Sequence, residues 1–244
     1  MLSQLGILVL LIFTLSVFLL YYRFHQSNLR NFQTKITKYE DIQAGDIFLV
    51  SFESVSKMFS DSLFNIQFLH PTLVVEQNNE KYVVELMNYS NTRGFHMMEL
   101  DEWINRQKHN SILLNKMTIK NNYFESKEMS EDQIRKEISK RIISFTQPYS
   151  GGESKIRTVG GFDGTWWRYV NPKGRYSGQQ IENGVTPCNE FCVYLLIKSG
   201  VVDNDKHIDH FHPDTFIGMN GFKVKKPFNF DEHYLCDLSQ YASE

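Results

Sequence analysis

The chain of 244 residues is 41% hydrophobic and 14% aromatic, enough to bury one substantial core once an apolar N-terminal segment is set aside. A formal net charge of −2, with no long basic run, excludes a nucleic-acid binder that works through charge. Three cysteines, Cys188, Cys192 and Cys236, form no disulfide framework and fit a reducing compartment. Residues 1–22 carry no charged side chain, and the eighteen residues 5–22 are apolar apart from Gly6, Thr14 and Ser16, just long enough for a helix to cross a bilayer. Neither a basic start nor a small-residue cleavage site marks a signal peptide, so an uncleaved single-pass anchor is expected. Arg23, Arg30, Lys35 and Lys38 follow the span before the first acid, Glu40. The positive-inside tendency then puts the rest of the chain on the cytosolic side, or in an interior derived from it.

Residues 23–39 read as a basic juxtamembrane stalk, and residues 40–244 as one domain. The turn Ala44-Gly45-Asp46 leads into Ile47-Phe48-Leu49-Val50, a buried strand. Phe59, Leu63, Phe64 and Phe68 suggest a short helix or lid over residues 54–69. A strand opening with His70 and a strand over residues 81–87 flank Gln77-Asn78-Asn79-Glu80, which is turn chemistry, so a hairpin is expected. With the turn centred between Asn78 and Asn79, Glu85 falls about one diagonal step from His70, close enough for its carboxylate to hold an imidazole nitrogen. A small helix around residues 100–107 and a strand around 112–117 follow. Ser130-Glu131-Asp132-Gln133 is a capping box that opens a helix with the apolar stripe Ile134, Ile138, Ile142 and Phe145, ending before Pro148. Residues 150–185 are rich in glycine and aromatics, with a modest basic excess, and a connection of that length inside a domain is usually functional or disordered.

The stretch from Pro187 to Gly200 reads as a helix beginning with a cysteine. Proline suits the first helical position and glycine the residue past the end. Cys188, Phe191, Cys192, Leu195 and Ser199 recur at three- and four-residue spacing and share one inward face. Cys188 tops that face, beside the unpaired N–H groups of the helix start, where nucleophilic cysteines are found. A structural reading of Cys188 as the small buried start of a core helix stands beside it. Cys192, one turn deeper, belongs to packing. Cys236 lies near Asp231, Glu232 and Asp237, whose charges disfavour a thiolate. His207, His210 and His212 cluster with Asp205, Asp209 and Asp214, but in no spacing that matches a metal site; a polar surface loop is expected, with no metal and no cofactor. The tail beyond residue 217 contains short apolar pieces suited to an edge strand.

The order Ala44-Gly45-Asp46-Ile47, a strand starting at His70, Glu85 near the end of the next strand, Gln147-Pro148-Tyr149, and Pro187-Cys188-Asn189-Glu190-Phe191 opening a helix resembles the circularly permuted papain-like fold. The likeness is to the YiiX-like group of the NlpC superfamily, related to the lecithin retinol acyltransferase group and to poxvirus proteins, and covers about residues 40–217. It implies an α+β domain with an antiparallel sheet packed on the cysteine helix, Cys188 as nucleophile, His70 as general base and then acid, and Glu85 as its orienter. The Cys188 backbone N–H would steady the oxyanion. Asn189 stands where many relatives carry serine, and residues 150–185 are longer than the family pattern. Tyr149, Trp166 and Trp167 are the aromatic candidates for substrate contact. An amide or peptide bond is the expected target; a lipid ester or acyl donor is the alternative, and an inactive, membrane-tethered interaction protein is a third.

Overall fold

The structure is a computed structural model that describes residues 4–29, 32–52, 68, 70–88, 93–120, 129–149, 157–158, 185–186, 188–203, 213–219 and 222–242. Strand β1 (Thr34–Ile36) is followed by β2 (Ile47–Ser51), which is buried along its whole length, as an unbroken apolar run covered on both faces must be. Strands β3 (His70–Gln77) and β4 (Glu80–Asn88) form the expected hairpin. Asn78 and Asn79 take φ of 54° and 64°, the left-handed pair that a two-residue I′ turn requires and asparagine tolerates. The ladder pairs Leu73 with Val84 and Gln77 with Glu80. Strands β5 (Arg93–Glu99), β6 (Ser111–Ile119) and β9 (Phe228–Asp237) complete a seven-stranded sheet in the order β1-β9-β6-β2-β3-β4-β5. All neighbours are antiparallel except β1 and β9, which run parallel. Two short strands, β7 (Arg157–Thr158) and β8 (Val185–Thr186), make a separate parallel pair.

The sheet is the middle of three layers. On one face Leu49, Leu73, Val84 and Leu113 pack with Ile134, Ile138 and Ile142 of α3 (Glu131–Thr146) and with Phe191, Cys192 and Leu195 of α4 (Cys188–Ser199). On the other, Phe48, Val50, Val74, Val83 and Leu114 meet Leu100, Trp103 and Ile104 of α2 (Leu100–Gln107). The helix read from its capping box starts where expected, with Ser130 Oγ accepting from Gln133 N at 3.2 Å and Ser130 N donating to Gln133 Oε1 at 2.7 Å, and α4 ends where expected, at Gly200 with φ +85°.

A polar lock ties α3 to the Gly45-Asp46 turn. Arg135 donates to Ala44 O at 2.7 Å and Met117 O at 2.6 Å, while the fully buried Asp46 accepts from Gln43 N through Oδ2 and from Met117 N through Oδ1, each at 2.9 Å. Gly45 has φ +93°, and a Cβ there would run into Met117.

Two features differ from the sequence reading. Residues 34–36 of the expected stalk are the edge strand β1, and the expected edge strand of the tail is β9, an inner strand between β1 and β6. Three residues are too few to show a period, and β9 is mostly half-buried, so neither leaves a clean alternation. The lid expected over residues 54–69 lies, apart from Phe68, outside the described residues, as does most of residues 150–185. The N-terminal segment is one helix, α1 (Gln4–Leu29), of 26 residues, with Leu8, Val9, Leu10, Leu11, Ile12 and Phe13 54–67% exposed. Among the described residues, no helix is long and apolar enough to cross a membrane.

Asp46→Asn keeps the shape of the lock but gives two backbone N–H donors only one acceptor oxygen. Leaving one buried donor unsatisfied costs about 1–3 kcal/mol, and urea denaturation of the variant is expected to show a lower midpoint with an unchanged slope.

Candidate active site

The hairpin register brings His70 and Glu85 together. Ladder pairing between β3 and β4 ends at Leu73 and Val84, and at that end His70 Nε2 meets Glu85 Oε2 at 2.8 Å. Both residues are almost wholly buried, His70 at 3% and Glu85 at 1% exposure. Strand alternation puts Glu85 on the same side as Val83, facing α2, and there Trp103 Nε1 donates to the same carboxylate oxygen at 3.1 Å. The indole is itself held by stacking on Phe48, with ring centroids 4.8 Å apart and planes 20° apart. Phe52 tilts against the imidazole at a centroid distance of 6.0 Å.

The other hydrogen-bonding partner of His70 is Cys188. Cys188 is half-buried and is the first residue of α4, one of the helix positions whose N–H has no acceptor within the helix. Burial works against a charged imidazole, but the charge of Cys188 and its hydrogen bond, then the hydrogen bond and charge of Glu85, outweigh it and raise His70 from 6.5 to about 10. The site therefore favours an imidazolium flanked by two groups able to carry negative charge.

The remaining thiols differ. None of the three cysteines is in a disulfide. Burial, then the neighbouring Cys188, pushes Cys192 well above its ordinary value. Cys236 is raised to about 12, chiefly by burial and with Asp46 as the acid contributing, so the surface acids expected to raise it are not the cause.

Cys188, His70 and Glu85 are thus brought into one cluster. Tyr149 stands at the end of the 3-10 turn after α3, its ring 6.1 Å from that of Phe145, among the partly buried residues on the larger core. Trp166 and Trp167 lie outside the described residues, as do His207, His210 and His212. Among the described residues no group of three or more His, Cys, Asp or Glu side chains is arranged to hold a metal ion. Trp103 was not legible as a site residue. The spacing of Leu100, Trp103, Ile104 and Gln107 marks an inward helix face, but not what its indole N–H meets.

No family model matches the chain, and no curated protein matches it. Among solved structures, the metalloprotein YiiX of Escherichia coli O157:H7 is similar at 11% identity, with a TM-score of 0.39 over 82% of this chain and 90% of that one.

A folded-state His70 raised above its unfolded value contributes stability that is complete below about pH 6.5 and is lost as pH rises through about 10. His70→Gln should therefore be less stable than the wild type by a margin that narrows across that interval, read as the gap in urea midpoints from pH 6 to pH 10. A gap that is constant with pH would contradict the raised imidazolium.

Proposed function

We propose that the protein is a membrane-anchored thiol hydrolase of permuted papain-like fold. The observation that carries this reading is the buried imidazole of His70, set between the half-exposed thiol of Cys188 and the carboxylate of Glu85. The chain order supports it as well, since the histidine strand precedes the cysteine helix and that helix packs on the sheet. The thiol proton rests on His70 as imidazolium, and the Cys188 thiolate attacks the carbonyl carbon of an amide or peptide bond. The oxyanion is met by the N–H groups at the start of α4. The imidazolium gives its proton to the departing amine, leaving a thioester on Cys188. Water, deprotonated by His70, attacks that thioester, and the carboxylic acid leaves as Cys188 recovers its proton.

The anchor is α1. Its exposed apolar run supports this, and the basic residues after it support a cytosolic or virion-interior domain. The same exposed helix favours a second reading in which the scissile group is a lipid ester and the thioester passes its acyl group to an acceptor.

The test uses the full chain in lipid nanodiscs, with peptide amides and amide-linked protein conjugates in one arm and phospholipids in the other. Mass spectrometry is expected to find an acyl group on Cys188 in the amide arm. Cys188→Ala and His70→Ala should each lower kcat/KM by about 10³-fold or more. Acylation only by phospholipid selects the second reading, and full turnover by Cys188→Ala overturns both. Protection of the domain from protease on the non-cytosolic side of sealed vesicles would overturn the orientation.

A further inference from the structure

We propose that Trp103 is a positioning residue for the site, acting through Glu85. This inference rests on the thiol-hydrolase reading above. The indole N–H and the imidazole N–H converge on one oxygen, Oε2, at 3.1 Å and 2.8 Å. A carboxylate at 1% exposure has lost its water, and in such a place the neutral acid competes with the anion. A second N–H donor on the oxygen that holds His70 favours the anion and fixes which oxygen faces the ring. The donor is held in turn by its stack on Phe48 of β2, and Trp103 is itself fully buried. Oε2 of Glu85 thus meets a donor from β3 and a donor from α2, so the core on the α2 face helps to set its orientation.

Among the described residues, the titratable and charged groups on the surrounding elements are few. On β3 there is His70, with Glu76 near the hairpin turn; on β4 itself Glu80 and Lys81 lie toward that turn. On β5 His96 stands opposite Glu85 and bonds Met87 O through Nε2, with Glu99 exposed farther along. On α2 Asp101, Glu102 and Arg106 are exposed, and on α4 there are Cys188, the buried Glu190 and Cys192, with Tyr194 and Lys198 farther along. Trp103 and His70 both donate to Glu85 Oε2.

The experiment is iodoacetamide alkylation of Cys188 in the full chain as a function of pH, with Trp103→benzothienylalanine, which keeps the ring shape and replaces N–H by sulfur. Loss of a charge-assisted hydrogen bond is expected to slow alkylation at about pH 6 by about 3- to 10-fold and to move the midpoint of the profile to higher pH, with the alkaline plateau unchanged. In a Glu85→Gln background the same replacement should have no further effect on the profile. Trp103→Phe, with its urea midpoint measured alongside, should shift the profile in the same direction. An unchanged profile in the benzothienylalanine variant overturns the proposal, and so does a shift that persists in full with Glu85→Gln. His70→Ala separates this from the parent reading: if it leaves the wild-type profile unmoved, the imidazole–thiol pairing itself fails.

Discussion

A carboxylate at 1% exposure makes a strict demand on its surroundings, because an ionised oxygen taken out of water must be met by donors or give up its charge. Glu85 is met by His70 and Trp103 on one oxygen. Each donor comes from a different layer. His70 opens the strand next to β4, whereas Trp103 rises from α2 and is fixed by Phe48 of β2. Because strand faces alternate residue by residue, Glu85 points toward α2 while its neighbours Val84 and Leu86 point toward α3 and α4. A slip of one residue in β4 would reverse that assignment. It would place the carboxylate among Ile138, Ile142 and Leu195 and leave the indole N–H facing a valine or leucine. The two-residue Asn78-Asn79 turn prevents the slip, so a left-handed pair at the far end of the hairpin sets the geometry of the histidine.

Much of this was readable from local chemistry. The hairpin, its centring and the diagonal from His70 to Glu85 follow from turn residues and strand geometry alone. The capping box of Ser130 and Gln133 and the helix ending at Gly200 follow from terminus preferences. What escaped was non-local. Strand β1 is three residues long and owes its place to a parallel pairing with Leu235, Cys236 and Asp237, two hundred residues away along the chain. Strand β9 lacks the buried alternation of an ordinary strand because much of it is only half covered. Trp103 carries a clear packing signal and no polar one. A sequence shows that an indole is buried, while the partner of its N–H depends on how two layers meet.

The cysteine helix shows the same division between what a position dictates and what assembly adds. Cys188 and Cys192 share a face of α4, one turn apart, yet one is half-exposed beside an imidazole and the other is packed among Phe191, Leu195 and the sheet. Burial holds Cys192 far from ionisation, with the neighbouring Cys188 adding to the effect. A thiol deep in a helix face is therefore inert for the same reason that a carboxylate without donors would be neutral. Reactivity needs a terminus, where backbone N–H groups are unspent, together with a base.

The depth of the three groups also constrains how chemistry can proceed. His70 and Glu85 are sealed from solvent, and Cys188 is the partly exposed member of the cluster. In the proposed reaction a carbonyl compound would therefore approach from the sulfur side, and the leaving group would collect its proton there. The carboxylate side stays dry throughout, which keeps its interaction with the imidazolium strong and unscreened by salt. In the proposed reaction the proton would move between Cys188 and His70, with Glu85 holding the imidazole from the other side. The placement of the cluster comes from the sheet: Glu85 is built into the α2 face, and Cys188 is presented by a helix start.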